Sequence, residues 1–302
     1  MVKHKGHKIN GWLIVDKEAG MGSTQVVGKT RYLLQAAKNG HCGTLDPFAT
    51  GVLPIAFGEA TKLIPYVTDG DKEYEFWLKF GATTDTLDCD GKFIAEGEKV
   101  PTKEEIEAIL PQFVGEITQI PPAYSAIKID GKRAYDLARK GQKVEIPERK
   151  ITIYGLELLE MCESDVVHCR VRCSKGTYVR TLGADIAQKL GTIGYLKALR
   201  RTKCGIFDVS DTILLENLKK IEYVEERQKV LLPVITCLRD IADIAVTEAD
   251  AAKLKQGQGL SPKAYQTSDL LGKEVVATYN GNLVAVVRID ERKIAPVRVF
   301  NF

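Results

Sequence analysis

The chain has 302 residues, 44% hydrophobic and 27% charged, with a formal net charge of +3. These are ordinary globular values, and the length predicts two domains or one large domain with an appendage. No stretch approaches the roughly 18 apolar residues of a membrane span. The opening Met1-Val2-Lys3-His4-Lys5-Gly6-His7-Lys8 lacks the apolar core of a signal peptide. Seven cysteines without a Cys-x-x-Cys pair read as small core thiols of a reduced, cytoplasmic protein.

Taken in order, residues 11–17 read as a first strand, followed by a glycine loop at Gly20-Met21-Gly22. That loop lacks the Gly-x-x-x-x-Gly-Lys spacing of a nucleotide-binding P-loop. A helix follows, with Ser23 as N-cap, Val26, Val27, Leu33, Leu34 and Ala37 on one face, and Asn39-Gly40 at its end. Residues 52–58 form an uncharged apolar run, the mark of a buried strand. Residues 74–81 alternate, with Tyr74, Phe76, Leu78 and Phe80 on one face and Glu75, Trp77 and Lys79 on the other.

Asp85-Thr86-Leu87-Asp88-Cys89-Asp90-Gly91 fails as a calcium loop, because Thr86 and Gly97 stand where the end ligands belong; it reads as an acidic surface turn. Thr102 to Glu105 is a capping box opening a helix that buries Ile106, Ile109, Leu110 and Phe113. Residues 127–150 carry many Lys and Arg and few large apolar residues, the composition of a basic loop suited to closing on a polyanion. Two strands follow over 151–159 and 166–173. His168 near Cys169 and Cys173 has no partner pair at zinc spacing. A helix then runs from residue 178 towards Gly191. Beyond residue 236 come a short helix over 248–254, an Asn280-Gly281 hairpin and a last strand over 297–300. Between Arg170 and Lys203 there are nine Lys or Arg against one acid, Asp185, a polarised stretch suited to phosphates.

The stretch that organises the rest is His41-Cys42-Gly43-Thr44-Leu45-Asp46-Pro47-Phe48-Ala49-Thr50-Gly51. Two glycines permit backbone angles closed to other residues, and Pro47 keeps Asp46 out of helical geometry. A carboxylate fixed in a rigid loop beside a core strand costs desolvation unless it is paired or used. This string, with Gly58-Glu59-Ala60-Thr61-Lys62 behind it, resembles the active-site signature of bacterial tRNA pseudouridine synthases of the TruB family. Over roughly residues 10–235, three motifs follow in family order.

The resemblance implies that Asp46 is the catalytic nucleophile and that Arg180, in Lys-Gly-Thr-Tyr-Val-Arg, pairs with it. It implies that Tyr178 lines the pocket and that Tyr74 stacks on the uracil and takes the C5 proton, although a tyrosine pKa of about 10 makes it a reluctant base. His41 would fill the space left by the extruded nucleotide, while Lys62 and Leu199 would support the site and touch the base. The implied reaction isomerises uridine 55 in the T loop of tRNA to pseudouridine after base flipping, with no cofactor and no metal. The sequence leaves open whether Asp46 attacks the sugar C1′ or the uracil C6.

The implied fold is mixed α/β (α+β): a pseudouridine-synthase core with a central, mainly antiparallel sheet flanked by helices, and a small C-terminal β-rich PUA-like module. Residues 1–235 would be catalytic, with 127–150 as an RNA-clamping insertion, and 236–302 would bind RNA. The partner expected is the tRNA T stem-loop, with a monomeric protein and no membrane. Two rival readings are a tRNA-binding or folding protein with an idle site, and a glycosidase that releases the base. The second needs a further acid that the motifs do not contain.

Overall fold

The computed structural model describes residues 6–125, 128–129, 132–133 and 146–302. Its first half runs β1 (Gly11–Lys17), α1 (Ser23–Leu33), β2 (Asn39–His41), β3 (Thr50–Phe57), α2 (Ile64–Thr68), β4 (Lys72–Phe80), β5 (Ala82–Thr84), β6 (Phe93–Glu96), α3 (Lys103–Ile109) and β7 (Gly115–Gln119). After the short pair β8 (Lys128–Ile129) and β9 (Lys132–Arg133) come β10 (Arg149–Glu163), β11 (Val166–Cys173), α4 (Val179–Lys189), β12 (Gly194–Cys204), β13 (Phe207–Asp208) and β14 (Ile213–Leu214). Two short helices, α5 (Leu215–Lys220) and α6 (Val224–Gln228), lead to β15 (Asp243–Ala245), α7 (Glu248–Lys255), β16 (Glu274–Tyr279), β17 (Asn282–Ile289) and β18 (Ile294–Val299). The expected basic insertion, 127–150, lies for the most part outside the described residues.

Ten strands join in one sheet, with a main path β14-β1-β3-β12-β4-β11-β10-β7. Its pairings are antiparallel except β1 with β14 and β3 with β12. The alternation along β4 and β11 does what period-two patterning requires. Phe76, Leu78, Phe80, Val167, Cys169, Val171 and Cys173 are all buried and meet Val26 of α1 and Leu182 and Ile186 of α4 in one core. On the opposite face Trp77 stacks on His168 with centroids 4.0 Å apart, and His168 Nε2 lies 3.3 Å from Glu75. That packing gives His168 a structural place in the sheet. The register sets Tyr74 of β4, Arg201 of β12 and Gly51 of β3 side by side across three strands.

The chain from β15 onward forms a separate four-stranded sheet, β15-β16-β17-β18. Asn280 and Gly281 both have positive φ, 49° and 74°, as a two-residue hairpin turn of the mirror-image type demands. One face of this sheet makes its own core with Leu254. The other presents Val276, Leu283, Val286 and Phe300 to Trp12, Val52, Leu63 and Phe207, so the second sheet rests on the back of the first.

Two local readings change. Gly22, not Ser23, is the residue before the first helical turn; the Ser23 hydroxyl donates to the Leu45 carbonyl at 3.0 Å and accepts the Leu45 N–H at 2.9 Å. The helix stops at Leu33, and Asn39-Gly40 belongs to β2, paired with β3, because Asn39 donates to Val27 O at 2.8 Å instead of capping.

Candidate active site

The loop between β2 and β3 is held from three sides. Ser23 clasps both backbone groups of Leu45. Lys17 is fully buried and its ammonium donates to the carbonyls of Glu18, Met21 and Pro47 at 2.9, 2.6 and 3.0 Å. Desolvation lowers the Lys17 pKa to about 8, partly offset by Asp46. Gly51, with φ of 98°, lies where an added Cβ would sit 2.2 Å from the Arg201 carbonyl oxygen, so only glycine lets β3 and β12 run together here. With Leu45, Phe48 and Ala49 buried, Asp46 is the charged side chain the loop presents to the cavity, beside Thr44.

Its partner comes from the N-terminus of α4. Buried Gln119 accepts the Tyr178 N–H at 2.8 Å and donates to the Tyr178 carbonyl at 3.0 Å, which fixes where the helix begins. Arg180 then lies with Nε 2.9 Å from Asp46 Oδ2, an ion pair whose alignment is not that of a hydrogen bond. Its other nitrogens donate to the carbonyls of Thr86 and Tyr124, each at 2.8 Å, and Nη1 is 3.2 Å from Asp88. The Arg180 and Asp88 side chains are 4% and 5% exposed. The turn containing Asp88 is therefore not simply a solvated acidic surface. One of its carboxylates is buried as the second counter-charge of Arg180, bonded also by the Thr86 hydroxyl and the Asp90 N–H.

About a third of the Asp46 side chain faces the cavity and the remainder is enclosed by protein. Burial pushes its carboxyl pKa up, with Arg180 and then Lys17 opposing. Burial likewise raises Asp88, opposed by the Thr86 hydroxyl and Arg180. Two carboxylates thus share one guanidinium, with the Lys17 ammonium as a further cation acting on Asp46.

The cavity, about 590 Å³, is lined by Asp46, Tyr74, Tyr178, Arg180, Leu199 and Arg201 among others. Five of the seven residues carried over from the resemblance are thus brought together. His41 and Lys62 are not on that lining. His41 ends β2, half-buried, with burial and then Arg201 lowering its pKa and an unbonded Nδ1. Lys62 pairs with Glu59 at 2.6 Å, donates to Val299 O at 2.8 Å and sits over Phe300, where it ties the second sheet down.

Arg201 is a site residue that motif reading passed over. It is 1% exposed, donates to Val52 O at 2.7 Å and Gly43 O at 3.2 Å, and stands opposite Tyr74 in the strand register. Burial raises the Tyr74 pKa and Arg201 opposes that rise. The signal was the Arg-Arg pair in an alternating strand: Arg200 goes out to Asp16 and Arg201 goes in. The polarised stretch 170–203 is also less open than its composition implies. Arg170, Lys175, Arg180, Lys197 and Arg200 each pair with a carboxylate.

Among the described residues no helix is long and apolar enough to cross a membrane. Comparison with solved structures finds the same fold in an H/ACA ribonucleoprotein bound to a substrate RNA containing 2′-deoxyuridine, with TM-score 0.73 and 22% identity, over 97% of this chain and 85% of that one. A Cbf5-Nop10-Gar1 complex matches with TM-score 0.72 and 25% identity, over 96% and 84%. Among sequence relatives, tRNA pseudouridine synthase B of Caulobacter vibrioides is 45% identical over 99% of this chain and 98% of its own length. The protein of the same name from Rhodospirillum rubrum is also 45% identical, over 99% of each. Residues 31–179 match the model of the TruB family pseudouridylate synthase N-terminal domain, and residues 180–241 match the tRNA pseudouridylate synthase B C-terminal domain. The chain belongs to the TruB family of pseudouridylate synthases.

Proposed function

We propose that this protein isomerises a uridine of tRNA, position 55 of the T loop, to pseudouridine, with Asp46 as the nucleophile. The observation that carries the reading is the Asp46–Arg180 pair at the wall of a cavity shared with Tyr74, Tyr178 and Leu199. The volume suits a flipped nucleotide, falling within the roughly 300–1,000 Å³ common for ligand sites. Relatives of near-equal length named tRNA pseudouridine synthase B support the same substrate.

The reaction breaks a C–N glycosidic bond and rebuilds it as C–C to the same uracil, so no net redox change occurs. An ionised carboxylate attacks at C1′ or C6. Arg180 keeps Asp46 available as the anion against the opposing effect of burial. Tyr74 and Leu199 bracket the base, since aromatic stacking holds an unstacked pyrimidine, and the enclosed wall keeps the detached uracil from escaping. Proton removal from C5 completes the product. The Tyr74 hydroxyl, its pKa raised by burial, is a poor base unless Arg201 stabilises the phenolate.

In this reading residues 1–235 are the catalytic unit with 127–150 as its basic RNA-clamping insertion, and 236–302 are a PUA-like RNA-binding module. The protein acts as a cytoplasmic monomer. The competing reading, a non-catalytic tRNA-binding or folding protein, leaves the Asp46–Arg180–Asp88 cluster unexplained. The test is carbodiimide labelling and mass spectrometry of T-arm RNA incubated with the protein. A labelled pseudouridine at the target uridine is expected. Unchanged uridine would favour the binding protein, and free uracil the glycosidase.

A further inference from the structure

Six cationic side chains line the cavity: Lys72, Arg149, Lys150, Lys175, Arg180 and Arg201. Five are already engaged. Arg180 has two carboxylates and two carbonyls. Arg201 has the carbonyls of Val52 and Gly43. The Lys72 ammonium is enclosed by the carbonyls of Val67, Thr68 and Gly70. Lys150 pairs with Glu116 at 2.8 Å and Lys175 with Asp69 at 3.0 Å. Arg149 differs: no described residue accepts a hydrogen bond from it, and its Nε is buried without a partner.

The placement of Arg149 is nevertheless fixed. It opens β10, in register with Gln119, the residue that clasps the Tyr178 backbone. Its guanidinium lies over the Tyr178 ring, 5.6 Å from the centroid. Gly176 makes the room for it, because a Cβ there would come within 3.3 Å of Arg149 Nη1. A guanidinium held on an aromatic face, with its donor fork unused, is preorganised for an anion that arrives with the ligand. The anion of the cavity itself, Asp46, is already paired with Arg180.

We infer that Arg149 is a substrate-binding residue that grips a backbone phosphate flanking the everted nucleotide, using its planar fork. This rests on reading the cavity as the uridine site. RNA supplies one such oxyanion pair on each side of the flipped base, and a guanidinium meets a phosphate bidentately. Tyr178 would thereby position the base on one side and, through Arg149, the backbone on the other.

The test combines Arg149→Met and Arg149→Lys with T-arm RNAs carrying one uncharged methylphosphonate at the linkage 5′ or 3′ to the target uridine. Single-turnover isomerisation and equilibrium binding are both measured. With native RNA, Arg149→Met should lower the second-order rate constant about 10- to 100-fold, the scale of one charge-assisted contact. One of the two methylphosphonates should lower the wild-type rate constant to a similar degree and cost Arg149→Met nothing further. Arg149→Lys should recover part of the loss, whereas a defect of folding would persist. Independent, multiplying losses would overturn the inference, as would equal behaviour of the Met and Lys variants. If Arg149→Met does not fold, full wild-type tolerance of both methylphosphonates would overturn it alone. Wild-type protein that binds the RNA but forms no product would count against the assigned reaction instead, and the binding arm would still read the Arg149 contact.

Discussion

Asp88 and Arg180, far apart in the chain, meet at 3.2 Å in the protein interior, and that contact braces the guanidinium that holds Asp46. Arg180 is therefore not a free surface cation that happens to reach Asp46. Acids on opposite sides and two backbone carbonyls fix its plane.

Replacing Asp88 by Asn should cost stability and turnover together. Arg180 keeps Asp46 and burial already disfavours the Asp88 anion, so the loss is that of a buried hydrogen-bond acceptor, about 1–3 kcal/mol, and not that of a stranded charge. Thermal unfolding and single-turnover rates of Asp88→Asn check it. Unchanged stability would mean that the buried contact is not what braces Arg180.

Gly51→Ala should damage the fold outright. The backbone there has φ of 98°, and the new methyl would meet the Arg201 carbonyl oxygen at 2.2 Å. Strain and the parting of β3 from β12 together should exceed the ~1 kcal/mol of an ordinary glycine substitution several-fold. Circular dichroism melts measure this directly.

The pH dependence follows from burial. Asp46 is raised above its ordinary value of about 3.9, so the acid limb of the rate profile should lie above that value. A carboxyl raised in the folded state adds stability below its unfolded pKa and loses it as pH rises through the folded one. Melting temperatures of wild type and Asp46→Asn should therefore converge, or cross in favour of Asn, as pH rises above the ordinary carboxyl value of about 3.9. A wild-type advantage that grows with pH would contradict the assigned direction.

Lys62→Met should leave turnover intact. The ammonium works at the contact between the two sheets, with Glu59 and the Val299 carbonyl, and a part-exposed pair of this kind contributes at most about 1 kcal/mol. A small drop in melting temperature with unchanged single-turnover rate is the expected result.

Much of this was legible in the chain. The alternation of β4 and β11, the capping box at Thr102 and the Asn280-Gly281 hairpin are local signals, written in neighbouring residues, and each became the element it predicted. The Asp46 loop was legible because glycine and proline constrain backbone geometry wherever they stand. Asp88 was not, since a run of acids and small polar residues looks solvated until a distant arginine draws one of them inward. Ser23 shows the same limit. Its hydroxyl could cap a helix or pin Leu45, and only the approach of the second loop decides between them.

The most direct test of the central claim measures rate and affinity of Asp46→Asn on the same T-arm RNA. The substitution keeps the size of the side chain and removes the anion beside Arg180. Single-turnover pseudouridine formation should fall by at least about 10⁴-fold, as for loss of a nucleophile, while Kd changes by no more than a few-fold. Isomerisation by Asp46→Asn at near the wild-type rate would contradict the account.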